Sequence, residues 1–307
     1  MAFTKATELK VRNHVKMLVY GKAGTGKTTL SLSAPRPAII DFDNGLHRVN
    51  HNHRYDALHL EPQNWQEVLD TMRDDLSEID TIIIDTIGKM MDYIITHVCG
   101  TRQPQLKDWG RINAEYKNFC RILDSLGKNI IFLAHDSTRK EGDDNVFIPA
   151  LREKNYTDII TELDLLGFVE MKADHGVQYR TVTFDPTSRN DGKNTCNLPG
   201  LMTIPNIIDK NGNCTAPNDF ITKKIIEPYI ANQKQSQADI AKYRELIGMI
   251  RMDVDSICDA ESANDFVSSV RTRYEHVGNS LTEASVMMRD KAKELGLVLK
   301  GGKYVAA

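Results

Sequence analysis

Apolar positions along the chain fall into short unbroken runs, separated by longer stretches in which they recur every three or four residues. The runs are Val15 to Tyr20, Ala38 to Asp41, Thr81 to Thr86 and Asn129 to Ala134. Four to six apolar residues in a row, bounded by polar or turn residues, predict strands buried on both faces, as in a parallel sheet. Between them Trp65, Val68, Leu69, Met72 and Leu76 follow the N-cap residue Asn64 and trace one face of an amphipathic helix. Met90, Met91, Ile94, Ile95 and Val98 trace a second helix face. Trp109, Ile112, Tyr116, Phe119, Leu123 and Leu126 trace a third, stopped by Gly127. Strands alternating with helices predict an α/β fold with a mostly parallel central sheet.

After Ala134 the pattern changes. Asp136 to Asn145 is charged and reads as a mobile loop. Leu165 to Glu170 and Gln178 to Phe184, around the turn Asp174-His175-Gly176, predict an antiparallel hairpin. Beyond about Gln233 three helices are expected, beginning with the stripe Ile240, Tyr243, Ile247, Ile250, Val254 and Ile257. Ser262 with Asp265, and Ser280 with Glu283, have capping-box spacing for the second and third, and Gly296 would end the third. Val298 to Val305 predicts a small hairpin on Gly301-Gly302. The expected domains are therefore 1–233, α/β with a polar lead-in, and 234–307, all-helical.

Composition narrows this picture only a little. At 307 residues the chain can bury a large core, and 41% hydrophobic with 26% charged residues is an ordinary globular balance. The net charge of −3 gives no global basic field, so any nucleic-acid contact must come from local loops. Residues 234–307 carry 11 Lys plus Arg against 11 Asp plus Glu, which favours protein contact or oligomerisation over DNA gripping for that unit. Five cysteines with no C-x-x-C pair, and no long apolar span, point to a reduced, cytoplasmic protein without a membrane partner.

The strongest local chemistry is Gly21-Lys22-Ala23-Gly24-Thr25-Gly26-Lys27-Thr28, which fits the phosphate-binding P-loop pattern between a predicted strand and a helix. Its glycines let successive N–H groups and the helix N-terminus face phosphate oxygens. Gly21, Ala23 to Thr28 and Thr29 form the expected binding loop, with Lys27 reaching the β- and γ-phosphates and Thr28 holding Mg²⁺. Thr81 to Thr86 has the form of a Walker B strand, whose Asp85 would share that Mg²⁺. The strand-tip segment Asp41-Phe42-Asp43-Asn44-Gly45 offers Asp43 to orient or deprotonate an attacking water, and an Asx turn closed by Gly45 accounts for the same residues equally well. His135, at the next strand tip, is placed either to sense the γ-phosphate or to cap the strand. His47, His51 and His53 invite a metal reading, with His47 and His51 on one helix face, but no further ligand has zinc-like spacing. Arg189 and Lys193 sit on a polar loop and are candidate fingers toward a neighbouring subunit's nucleotide, a solvated loop being the plainer alternative.

The succession GKAGTGKT, AIIDFDNG, TIIIDT and IIFLAH, then a charged loop and a hairpin, resembles the RecA-like P-loop ATPases. Within them it resembles the phage nucleotide-binding ATPases that include recombinases of the single-strand-annealing group, over roughly residues 15–200. The resemblance implies a Mg²⁺-dependent ATPase with Lys27, Asp43, Asp85 and His135 as its catalytic set. Asp43 stands where the family usually has glutamate, one methylene longer. The loops at 100–110 and 136–147 fall where RecA-like recombinases place their DNA-binding loops. Arg102, Lys107, Arg139 and Lys140 are then candidates for phosphate contacts and Trp109 for base stacking. Single-stranded DNA, further copies of the chain, and a replication or recombination protein on the C-terminal helices are the implied partners. An ATP-dependent loader acting through those helices is the alternative. An AAA-type remodeller, with the helices as its lid, fits the antiparallel hairpin less well.

Overall fold

The computed structural model describes residues 12–54 and 56–307. They divide into two compact units, Arg12–Ala231 and Asn232–Ala307. Four strands carry the first unit: β1 (Lys16–Tyr20), β2 (Pro37–Asp41), β4 (Thr81–Asp85) and β5 (Asn129–Ala134). All but one of their residues are buried. Because side chains alternate across a strand, each apolar run divides between two cores. Leu18 and Tyr20, Ile82 and Ile84, and Ile130 and Phe132 join one core with helices α2 (Trp65–Thr71), α3 (Ile87–Cys99) and α4 (Trp109–Ser125). Met17 and Val19, Ile83, and Ile131 and Leu133 join the other, with helix α1 (Lys27–Ser31) and the chain from Phe220 to Tyr229. A sheet covered on both faces accounts for the uninterrupted hydrophobic runs.

The sheet is wider than the four legible strands. It adds β3 (Leu58–Leu60) beyond β2, and β8 (Leu165–Asp174), β9 (Val177–Thr183) and β11 (Leu201–Ile204) beyond β1. The order is β11-β9-β8-β1-β5-β4-β2-β3, with the short β10 (Lys193–Asn194) also pairing β8. From β8 to β3 every neighbour is parallel, whereas β9, β10 and β11 are antiparallel. Strand β4, which ends in Asp85, is separated from the P-loop strand β1 by β5. In register, Asp41 faces Asp85, Asp85 faces Leu133, and Tyr20 faces Ala134, so these strands end at one edge. Open parallel sheets bind ligands there.

An expectation about the stretch after β5 is overturned. The charged stretch after His135 is not a mobile loop but a hairpin, β6 (Asp136–Glu141) with β7 (Asp144–Pro149), paired from Asp136–Pro149 to Glu141–Asp144. Gly142 takes the left-handed conformation its turn requires. Val146 is buried, Phe147 stacks on Phe168, and Arg139 bonds Glu141 and Asp191. Charge alone misled, because the anchoring apolar residues all sit on the returning strand. Helix α5 (Glu153–Glu162) follows, in a segment with no sequence reading.

Helix α6 (Glu227–Asp255) runs in sequence across the boundary between the units. In the second unit Leu246, Ile250, Val254 and Ile257 pack with Phe266 of α7 (Ala260–Arg273) and Met288 of α8 (Ser280–Glu294). The caps differ from expectation. Asp259, not Ser262, is the N-cap of α7, and Ser262 is its reciprocal partner. Asn279 precedes α8 without a side-chain cap, so Ser280 and Glu283 form no capping box. The terminal hairpin, β12 (Leu297–Lys300) and β13 (Lys303–Ala306), turns on Gly301-Gly302. No helix among the described residues is long and apolar enough to cross a membrane.

Candidate functional site

The chain leaves β1 through Gly21, whose φ of 153° and close approach to β8 exclude a side chain; a Cβ there would lie 2.2 Å from the Val169 carbonyl oxygen. Gly26, at φ 86°, precedes helix α1. The loop closes on itself: Thr25 Oγ1 donates to the Lys22 carbonyl at 2.9 Å, and buried Lys27 Nζ donates to the carbonyls of Gly21 and Lys22 at 2.8 and 2.9 Å. Burial lowers the Lys27 ammonium pKa against the opposing pull of Asp85, Asp136 and Asp43. A buried lysine whose hydrogen-bond partners among the described residues are carbonyl dipoles is poised for an anion.

Asp85, at the tip of β4, accepts a 2.7 Å hydrogen bond from Thr28 Oγ1. The two expected Mg²⁺ ligands therefore touch. Burial pushes the Asp85 carboxyl up to about 6, the Thr28 hydrogen bond opposing, while Asp41 and Asp43 push further up. A desolvated carboxylate beside a hydroxyl is an oxygen donor set that suits a hard divalent cation, so these residues fit Mg²⁺.

The acids at the tip of β2 divide the two readings between them. Asp41 closes the turn: its Oδ1 accepts from the Gly45 N–H at 3.0 Å and its Oδ2 from the Leu46 N–H at 2.8 Å. Asp43 is left free of that duty. Its Oδ2 accepts from Thr86 Oγ1 at 3.2 Å and lies 4.0 Å from His135 Nε2. Lys27, Thr28, Asp43, Asp85, Thr86 and His135 all line one cleft of about 690 Å³, a volume suited to a nucleotide.

Comparison with known proteins places the chain in a family. A family profile described as AAA domain (AAA_24) matches residues 13–196, more than half of the chain. The chain belongs to that family. Among solved structures, a KaiC-like protein from Pyrococcus horikoshii aligns at 13% identity and a TM-score of 0.36, over 55% of this chain and 77% of its own. The flagellar accessory protein FlaH from Methanocaldococcus jannaschii aligns at 14% identity and 0.34, over 62% and 90%. No curated protein matches.

The remaining candidates of this AAA domain are scattered. Arg102 is held bidentately by buried Asp108, at 2.5 and 2.8 Å, and holds that carboxyl well below the usual carboxylate range. The Trp109 ring is covered by the Arg152 guanidinium 3.5 Å from its centroid. Lys107 and Lys140 are exposed. Lys193 Nζ bonds the carbonyls of Ile160 and Thr161 at the end of α5, and Arg189 reaches Glu170 at 3.5 Å, so neither enters this chain's cleft. His47 and His51 do not share a helix face, because they lie in two separate 3-10 turns, Leu46–Arg48 and His51–His53. Among the described residues the metal-compatible grouping is Asp41, His59 and Glu61. Sequence reasoning passed over Arg180 on β9, which lines the cleft, and gave His53 another role. Nothing local marks Arg180. Only the pairing of β9 with β8, and of β8 with β1, brings it beside the P-loop.

Proposed function

We propose that this AAA domain is a Mg²⁺-dependent ATPase in which Asp43, backed by Thr86 and His135, positions the water. The observation that carries this reading is the Thr28–Asp85 contact in the same cleft as Asp43 and Lys27. Lys27 gives up the Gly21 and Lys22 carbonyls to hold phosphate oxygens, and the loop N–H groups share that charge. Mg²⁺, when bound through Thr28 and Asp85, supplies charge neutralisation at the transferred phosphoryl group. Asp43 accepts the proton of the attacking water, and the Thr86 hydroxyl fixes the carboxylate that accepts it. Phosphate release from ATP should require Mg²⁺, and Asp43→Asn should lower it by about 100-fold or more while ATP still binds. Equal turnover in the two proteins would overturn the assignment.

Single-stranded DNA is the polymer proposed for this motor, in annealing or strand exchange by a homo-oligomer. Hairpin β6–β7 supports that reading, because it starts one residue after His135 and carries Lys140 near its turn. Fluorescence anisotropy at low salt with ATP present should show binding, weakened by Lys107→Glu with Lys140→Glu and by added salt. Absence of binding under those conditions removes DNA from the proposal. The loader reading has its own support in the exposed Met249, Met252, Val267 and Val286 of the C-terminal helices. It expects partner capture to be lost, and DNA binding kept, when residues 232–307 are deleted.

A further inference from the structure

Two buried polar atoms near the P-loop lack partners. Arg180 Nε and His53 Nδ1 are shielded from solvent and make no hydrogen bond. Both residues line the nucleotide cleft, and both also line a smaller pocket against Gly26, Thr29 and Asn218. Arg180 approaches closely enough that a Cβ on Gly26 would lie 3.1 Å from its Nε and 3.2 Å from its Cζ. No carboxylate pairs with this guanidinium among the described residues. A desolvated N–H donor on a permanent cation, left without an acceptor, costs free energy unless a ligand supplies one.

The position of the pair tells which part of a ligand that would be. Thr28, Asp85, Asp43 and His135 occupy the side of the P-loop that takes the metal and the terminal phosphate. Arg180 and His53 share the cleft with them but also line, with Gly26 and Thr29, a second pocket that none of those four reaches. Burial lowers the His53 imidazole pKa and the Arg180 charge adds to the fall, while the Asn218 side-chain amide donates to the His53 backbone carbonyl. The ring thus stays neutral beside the cation and can face ribose hydroxyls or a base edge.

Resting on the nucleotide reading above, we propose that Arg180 is a nucleotide-binding residue supplied in cis. Its guanidinium takes the α-phosphate of a nucleoside di- or triphosphate over Gly26, and His53 lies against the attached ribose. The antiparallel strand β9 is then part of the nucleotide site, not only an extension of the sheet. It follows that nucleotide affinity depends on Arg180 whether or not a γ-phosphate is present, while Asp43 and His135 read the γ-phosphate.

The test is calorimetric titration of the full chain with ADP and with a slowly hydrolysed ATP analogue, for the native protein, Arg180→Met and Arg180→Lys. Methionine keeps the packing stem and removes the charge. It should weaken both nucleotides alike, by roughly 10- to 150-fold, the loss expected for a charged hydrogen bond. Lysine should recover part of that loss. Unchanged affinity for both nucleotides in Arg180→Met, with the native protein binding normally, overturns this proposal and leaves the P-loop reading standing. A loss confined to the ATP analogue puts the guanidinium at the γ-phosphate and also overturns it. If the native protein binds neither nucleotide, the P-loop reading fails first and takes this one with it. An unliganded melting temperature equal to that of the native protein would show that Arg180→Met acts on binding, not on folding.

Discussion

Replacing Asp85 by asparagine should make the unliganded protein more stable and catalytically dead. The carboxyl is buried, its side chain bonds the Thr28 hydroxyl, and its pKa rises from 3.8 to about 6. A folded-state value above the unfolded one means that the folded chain holds the proton more tightly. Stability from this group is therefore complete below pH 3.8 and drains away as pH climbs through about 6. Two pKa units at 1.36 kcal/mol each put the upper limit near 3 kcal/mol at neutral pH. Asparagine keeps an oxygen for the Thr28 hydroxyl and carries no charge, so it should recover much of that loss. For a domain of this size the gain is roughly 4–10 °C in melting temperature. The assay is thermal unfolding without divalent cations at pH 4 and pH 8, for the native protein and Asp85→Asn. The two should coincide at pH 4, where the native carboxyl is mostly neutral in the fold, and separate at pH 8 with the variant higher. A difference independent of pH, or a variant less stable at pH 8, would refute the claim that Asp85 is a strained carboxylate waiting for a cation.

Three further outcomes follow from the same geometry. Ile83→Ala, at a fully buried site on central strand β4, should cost about 2–5 kcal/mol in urea unfolding, and a cost under 1 kcal/mol would contradict its place in the core. Asp41→Ala removes the acceptor of the Gly45 and Leu46 N–H groups and should cost about 1–3 kcal/mol; it should also slow ATP turnover, since that turn aims Asp43, and full turnover would separate the two acids. Asp259→Ala should destabilise the helical unit by about 1 kcal/mol and Asp265→Ala by much less, a reversal of which would restore the cap expected from sequence.

Much of the sheet was legible because buried parallel strands need continuous apolar runs, and the P-loop announces itself by three glycines and a lysine at fixed spacing. What escaped reading lacked such a signature. Strand β3 has three residues, none of them buried, and β11 is also partly exposed, so neither shows a hydrophobic run. Hairpin β6–β7 is polar on its first strand, and its anchors, Val146, Phe147 and the Arg139–Asp191 pair, become visible only when distant segments meet. Arg180 escaped for the same reason, because its importance comes from sheet register. Local charge likewise does not show that the guanidinium groups of Arg102 and Arg139 bond carboxylates.

The site's logic rests on three aspartates at two neighbouring strand tips, which residue type alone could not tell apart. Asp41 is the most buried but receives two backbone N–H bonds, so its charge is already satisfied and its work is to shape the turn. Asp85 is nearly as buried and has a hydroxyl as its side-chain partner, so its charge is in deficit, which a cation would remove. Asp43 is less buried and meets one hydroxyl and one imidazole at the wall of the cleft. One residue type thus occupies three different environments at these strand tips. Under the proposed mechanism, activity in this cleft depends on the turn at Gly45 as well as on the glycines of the P-loop. That turn occupies Asp41 with two backbone N–H groups and leaves Asp43 lining the cleft.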